Sequence, residues 1–393
     1  EYDSGDYPAV MNKVLAAVDY EALVRRRDEI RASGMLAGIG IATCLEPGGG
    51  NAIFENIMNP KNDKTTFPEA CRIRVDGMGA ITAMIAISSS GQSHETMVAT
   101  LVGEELGVDP AKVKVVRIDS LAGLPSQSPV GSRMAIVLGG AIHKAADRLK
   151  DKLCTIGAYA LDVGRAMVEY ADTGVRLIDD PDTRLNWQEL VAIAHRKQHL
   201  MPPEMDPGLE VVAVAHTPKS GKLTGPNDLV QLYPCYSFEA HVVLTTIDPN
   251  TGKADLHDYG VAHDCGTVIN EQIVRGMLMG GIAHGIGVAF YEQFALSDEG
   301  QPLTQSLMDY LLPSNFEIPD VVDVGHTTPS PLTSFGQKGV GESGYMGAPA
   351  AVANAVNDAL CSYGAQPVWS LPIKPSDIYV RIAATSAESR PQQ

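Results

Sequence analysis

At 393 residues the chain has room for two or three domains of roughly 150 residues each, with a sizeable core. Its 38 glycines and 25 prolines are spread along the chain, which excludes a fibrous or low-complexity class. Thirty Lys and Arg against 47 Asp and Glu leave a formal charge of −17, which repels phosphate at long range and makes the chain a poor candidate for binding nucleic acid or anionic membrane. Any phosphate-bearing ligand would have to be held by backbone N–H groups and one or two local cations. Cys44, Cys71, Cys154, Cys235, Cys265 and Cys361 are dispersed with no CxxC pair. That pattern argues against a zinc ribbon, a self-contained iron–sulfur centre or a disulfide framework, and it points to a reducing, cytoplasmic compartment. No apolar run approaches the ~20 residues of a membrane span, no signal pattern opens the chain, and Glu1 without an initiator Met reads as a cut or processed end.

In chain order, the spacing of Val10, Val14, Val18 and Leu23 predicts one helix from about Tyr7 to Arg31, closed by Gly34. A strand over Ile39–Cys44 follows, then a loop from Gly48 to Pro68. Cys71–Val75, a turn at Asp76-Gly77-Met78-Gly79 and Ile81–Ser88 form a hairpin, leading through Gly91-Gln92-Ser93-His94 into a helix over Glu95–Leu106. Leu138–Arg165 and Asn186–Gln198 read as helices, before a Pro-rich linker at Pro202–Pro207. The grammar then returns: a second hairpin over Ser237–Asp248 and Lys253–Val261, a polar loop His263–Asn270, and a Gly-rich helix over Glu271–Glu292. A last helix, Ala348–Cys361, follows a Gly-rich loop. Hairpins mixed with helices favour an α+β fold built from two related hairpin–loop–helix halves.

Three loops carry candidate chemistry. Ser90–Thr96 offers glycine for close approach and a helix N-terminus for an anion, against the plainer reading of Ser93 as a helix cap. Leu124–Arg133 is a hydroxyl-rich cradle with Arg133 as a local cation, or simply a polar surface loop. Gly336–Gly344 is neither a P-loop nor a nucleophile elbow, and it presents one carboxylate, Glu342, suited to a general base or to helix capping. His195 and His199, four apart on a helix, have metal-pair spacing, but Arg196 and Lys197 between them mark an exposed face.

Taken in order, these loops resemble the molybdenum hydroxylases: xanthine oxidase, aldehyde oxidase and aerobic CO dehydrogenase. The likeness runs from Tyr2-Asp3-Ser4-Gly5-Asp6-Tyr7 to about Arg381. Gly91-Gln92-Ser93-His94-Glu95-Thr96 is similar to the family's pterin contact, and the segment from Ser128 through Val130-Gly131-Ser132-Arg133 to its phosphate-side loop. Asp264-Cys265-Gly266 leads towards the inner helix with Gly280-Gly281-Ile282-Ala283-His284, and Lys338-Gly339-Val340-Gly341-Glu342 resembles the catalytic-glutamate signature. Ser93 stands where the family has glycine, and His284 where many members have glutamine.

The resemblance implies a molybdopterin, as the cytosine dinucleotide, bound by Gly91, Gln92, Ser93, Thr96, Ser128, Val130, Gly131, Ser132, Arg133, Asp264, His284, Lys338, Gly339, Val340 and Gly341. It implies that Glu342 is the base, with molybdenum held through the pterin and not by side chains. Only the second half of such a subunit is represented, so the resemblance also implies a chain carrying the first half. Electrons would pass to a [2Fe–2S] subunit and an FAD subunit, and the chain alone is expected to show no turnover. Its implied segments are the end of the first molybdopterin-binding domain with a connecting helix (1–34), the two halves of the second such domain (35–215 and 216–382) and a tail (383–393). Two rival readings are a molybdopterin-holding or assembly protein without catalysis, and a cofactor-free hydrolase using Glu342 and a histidine.

Overall fold

The computed structural model describes residues 2–50, 68–121, 123–216 and 233–388. Most of the loop expected between Gly48 and Pro68, the first residues of the 216–382 segment, the last five residues of the tail and Glu1 lie outside these. The elements in chain order are α1 (Tyr7–Ala17), α2 (Tyr20–Ala32), β1 (Leu36–Gly48), β2 (Glu69–Val75), β3 (Ile81–Ile85), α3 (His94–Leu106), β4 (Val113–Arg117), α4 (Gly139–Ala160), β5 (Val168–Ala171), β6 (Gly174–Leu177), β7 (Arg184–Asn186), α5 (Trp187–Arg196), β8 (Leu209–Ala215), β9 (Cys235–Ile247), β10 (Ala254–Asp264), α6 (Glu271–Phe290), β11 (Val321–His326), α7 (Ala348–Ser362) and α8 (Pro375–Glu388). The chain folds into two compact units made of interleaved stretches: residues 1–3, 47–235 and 329–339 in one, and 4–46, 236–328 and 340–393 in the other. The expected segments were contiguous, with boundaries at 34, 215 and 382, so the compact units divide the chain differently.

The first unit contains a four-stranded sheet in the order β4-β3-β2-β8. Asp76 closes the β2–β3 hairpin by accepting from the backbone N–H of Met78 (2.9 Å) and Ala80 (3.0 Å). Helix α3 returns the chain so that β4 lies parallel to β3, while β8 runs antiparallel to β2. Helix α4 packs on β2, β8 and α3 through Ile142, Leu149, Leu153 and Ile156, all fully buried. A small second sheet, β5-β6-β7, packs beside α4.

The second unit repeats the plan with the order β1-β9-β10-β11, its hairpin strands antiparallel and β11 parallel to β10 across helix α6. Both halves therefore run hairpin, loop, helix, parallel strand, Gly-rich loop, helix. Strand β9 is buried almost throughout, because both sheet faces are covered. Its even-numbered residues Phe238, Ala240, Val242 and Leu244 meet Val10 and Val14 of α1 and Leu23 of α2. On the opposite face Val243, with Tyr259 and Val261 of β10, meets α6 and α7. The period-2 alternation of a strand places Glu239 and His241 on that same face.

Two expectations are corrected. The single helix over Tyr7–Arg31 is two helices, because Asp19 adopts a left-handed φ of 45° and its carboxylate caps α2 at the N–H of Ala22 (3.1 Å). An apolar run of membrane-spanning length does exist: α6 has 20 residues and is long and apolar enough by length and composition. Here Leu278, Ile282 and Ile286 bury its apolar stripe in the core of the second unit. The short strands β4 and β11 were not anticipated.

Candidate functional site

In the first unit one of the predicted loops, Leu124–Arg133, folds around a buried carboxylate. Glu69, 1% exposed at the start of β2, accepts from Arg133 Nη1 (2.5 Å), Ser126 Oγ (2.7 Å) and Gln127 N (3.0 Å). Arg133 is itself 2% exposed and also donates to the carbonyl of Ser128 (3.0 Å). The expected local cation is thus paired inside the protein, and it shapes the 126–133 loop instead of standing open to an anion. Ser132 is left-handed (φ 46°), and the Gly131 carbonyl accepts from Gly49 N (3.2 Å). Gly339 lies against this loop so closely that a Cβ there would stand 2.2 Å from the Ser132 carbonyl oxygen, so only glycine fits. Lys338 is buried, and Val130 stays exposed at 68%.

The Ser90–Thr96 loop enters α3. Gln92 folds back so that its Oε1 accepts from Ser90 N (2.6 Å). Ser93 is the N-cap residue, as the plainer reading had it, in left-handed geometry (φ 57°), but its hydroxyl makes no capping hydrogen bond. Space beside Gly91 is open. His94 is 6% exposed, and among the described residues its Nδ1 has no hydrogen-bond partner. Burial holds its pKa below the usual histidine value, against the weaker opposing pull of Glu95 and Glu69. Thr96 follows in the first turn.

The chemistry of this cluster bears on the molybdopterin that the resemblance implies. Among the described residues, an orphaned buried imidazole nitrogen, a serine hydroxyl that makes no capping bond, a helix N-terminus and open space beside glycine suit a ligand with anionic and heterocyclic parts. The residues fit. Among the described residues one cluster has metal-binding geometry, Glu105 on α3 with His143 and Asp147 on α4. Lys150 Nζ bonds Glu105 in that cluster, and such a cation competes with a metal ion. His195 is separately engaged with the Val75 carbonyl (3.1 Å), and His199 lies past the end of α5, in a short turn over Gln198–Leu200, so the two are not on one helix.

In the second unit, Glu342 is exposed, and its carboxylate carries no hydrogen bond among those described. Its backbone N–H donates to Glu46 Oε1 (2.9 Å), and Ser343 Oγ donates to Glu46 Oε2. Gly344 N and Gly347 N donate to the two oxygens of Glu239, the latter at 3.3 Å. Helix α6 passes beneath this loop at Gly281, where a Cβ would meet the Ser343 carbonyl oxygen at 2.4 Å. His284, one turn on, stacks on Tyr345 with ring centroids 4.5 Å apart. Asp264 is fully buried and accepts from Gly266 N (2.9 Å) and from Thr328 N (3.1 Å) and its hydroxyl, tying the 264–270 loop to the end of β11. The chain passes from the first unit to the second between Gly339 and Val340, so the Lys338–Glu342 signature, with Val340 and Gly341, has residues in both.

Sequence reasoning missed Glu46, Glu69 and Glu239. The available signal was an ionisable residue inside an apolar strand, as in Cys235-Tyr236-Ser237-Phe238-Glu239-Ala240-His241-Val242-Val243. Such a residue persists only where buried partners satisfy it.

Buried histidines give a pH dependence. His263, 8% exposed on β10, has its pKa lowered by burial, against Asp323, Glu239 and Asp264, which raise it less. For His94 and His263 the unfolded chain binds the proton more readily than the native one, so stability falls as pH drops through about 6.5. The melting temperature is expected to decrease from pH 7.5 to 6, above the carboxylate range, and His263→Gln should flatten that slope. An unchanged slope in the variant would count against this assignment.

A family model described as a molybdopterin cofactor-binding domain matches residues 13–319. The nicotine 6-hydroxylase large subunit of Paenarthrobacter nicotinovorans is 30% identical over 378 residues, covering 96% of this chain and 44% of its own length. The carbon monoxide dehydrogenase large chain of Hydrogenophaga pseudoflava is 31% identical over 369 residues, covering 93% and 43%. Among solved structures, quinoline 2-oxidoreductase from Pseudomonas putida 86 superposes with a TM-score of 0.83 at 30% identity, over 98% of this chain and 46% of that one. The chain thus spans less than half the length of these relatives. By motif, topology and match, this chain belongs to the molybdopterin cofactor-binding domain family, that of the molybdenum hydroxylase large subunits.

Proposed function

We propose that this chain is the catalytic half of a molybdenum hydroxylase large subunit that hydroxylates an electron-poor carbon, of the N-heterocycle or aldehyde type, with oxygen taken from water. The observation that carries this reading is the exposed Glu342 carboxylate, without a hydrogen bond among the described residues, on a backbone locked by buried acceptors. Nicotine and quinoline in the names of two relatives support the N-heterocycle class.

When bound, the molybdenum–pterin group supplies the two-electron redox chemistry. Glu342 acts as general base, taking the proton from the oxygen nucleophile as it closes on the substrate carbon, and later releasing it to solvent. The α3 N-terminus, with Gly91, Ser93, Thr96 and the His94 Nδ1, holds the pterin side. The 128–133 loop, packed on Gly339 beside Lys338, takes the phosphate side through backbone N–H groups, which lets so acidic a chain bind an anion. The cytosine dinucleotide form, contacts from His284, Val340 and Gly341, and a structural part for Asp264 belong to the same reading.

The electrons would leave through a [2Fe–2S] subunit and an FAD subunit, and a chain carrying the first half would close the site. All six cysteines of this chain are free, in keeping with a cytoplasmic setting.

The test is purification of the native complex, assayed for molybdenum, iron, flavin and cytidine nucleotide, with dye reduction on nicotine, quinoline and benzaldehyde. Cyanide-sensitive turnover is expected. Turnover in molybdenum-free protein would favour the hydrolase, and a metal-loaded complex with no turnover on any of these probes would favour the holding protein. Because Gln92 closes its loop on Ser90 N, Gln92→Ala should loosen the Gly91 turn and lower molybdenum occupancy. Unchanged metal content in that variant would count against the pterin pose.

A further inference from the structure

Two buried carboxylates are aimed at the backbone of the Glu342 loop, and nothing in the reaction uses them. Glu46 near the end of β1 and Glu239 on β9 are each 1% exposed. Burying an ionised carboxylate is strongly unfavourable unless donors surround it. Four donors come from one six-residue stretch: Glu342 N and Ser343 Oγ to Glu46, Gly344 N and Gly347 N to Glu239. Gly347 is also the N-cap residue of α7, so Glu239 sits at the positive end of that helix. His241 Nε2 stands 3.4 Å from Glu239, and its Nδ1 lies 2.9 Å from the hydroxyl of Tyr259, which holds that ring from behind. Cys44 registers both charges: burial first, then Glu239 and Glu46, push its thiol up to about 11.

The Glu342 side chain makes no hydrogen bond of its own among the described residues, so its aim depends on the backbone beneath it. We infer that Glu46 and Glu239 are positioning residues that fix the direction of the Glu342 carboxylate through the backbone of residues 342–347. This rests on the proposed role of Glu342 as base.

The two sites differ in what an amide can replace. At Glu46, a glutamine Oε1 can still accept from Glu342 N, and the Ser343 hydroxyl can turn to accept from the amide NH₂. At Glu239 both partners are backbone N–H donors, which cannot reverse, so a glutamine NH₂ necessarily faces one of them. A displacement of about 1 Å in a catalytic group lowers turnover on the order of 10²-fold.

The experiment uses the native complex, with dye reduction on nicotine or quinoline, molybdenum content, and hydrogen exchange of peptides covering 340–348. Glu239→Gln is expected to lower kcat about 10²-fold and to speed exchange in that segment, with molybdenum content at the wild-type level. Glu46→Gln should lose less than about tenfold, and Glu46→Gln with Ser343→Ala should fall to the Glu239→Gln level. Where Glu239→Gln does not accumulate, Glu46→Ala gives the same readouts. Wild-type exchange and kcat in Glu239→Gln, beside an inactive Glu342→Gln, would overturn the positioning role alone. An active Glu342→Gln would instead overturn the base, while exchange in 340–348 still reports whether the carboxylates hold the loop.

Discussion

Glu342→Gln is expected to lower kcat by 10² to 10⁴-fold or more while leaving molybdenum content and melting temperature at wild-type values. A positioned general base typically contributes a factor on the order of 10²–10⁴. The substitution is isosteric, and the described bonds of this residue are made by its backbone N–H, so the loop anchored on Glu46 should be undisturbed. Its side chain is exposed, so the change from carboxylate to amide should cost little stability. A fall in kcat with unaltered metal content isolates proton transfer from cofactor binding. Glu342→Asp, one methylene shorter, should recover part of the loss. Near wild-type kcat in Glu342→Gln would dismiss the assignment.

Glu69→Ala is expected to be the most destabilising single change in the first unit, by about 3–5 kcal/mol. It leaves the Arg133 guanidinium, 2% exposed, without its ion-pair partner, and removes the acceptor for Ser126 Oγ and Gln127 N. The 126–133 loop should then open, and phosphate-side binding should weaken with it. Removing both charges by Glu69→Gln with Arg133→Met should be less damaging than Glu69→Ala alone, because no uncompensated charge stays buried. Urea denaturation of the three proteins measures the difference. A loss below about 1 kcal/mol in Glu69→Ala would mean that water already reaches the pair.

The two expectations divide along what a linear sequence can carry. The hairpins were legible because their signals are local: alternating apolar residues around Asp76–Gly79 and around Asn250-Thr251-Gly252. Helix α6 was legible as a Gly-rich run after a polar loop, and the structure adds that Asn270 caps it by accepting from Ile273 N (3.0 Å). The α1–α2 break was not, because Asp19 interrupts an apolar spacing that continues in register on both sides. The pairing of Arg133 with Glu69 was not legible, because the two lie 64 residues apart.

By itself the sequence determined the α+β class and the repeated hairpin–loop–helix plan, since both rest on short-range spacing, and it marked the glycine-rich loops and Glu342 as candidates through their resemblance to the family's motifs. Only the tertiary structure decided which charges face inwards. Glu46, Glu69, Glu239 and Arg133 acquire their partners when strands and loops remote in sequence are packed together. Burial then makes those contacts obligatory, because a charge removed from water must find its donors or acceptors within the protein.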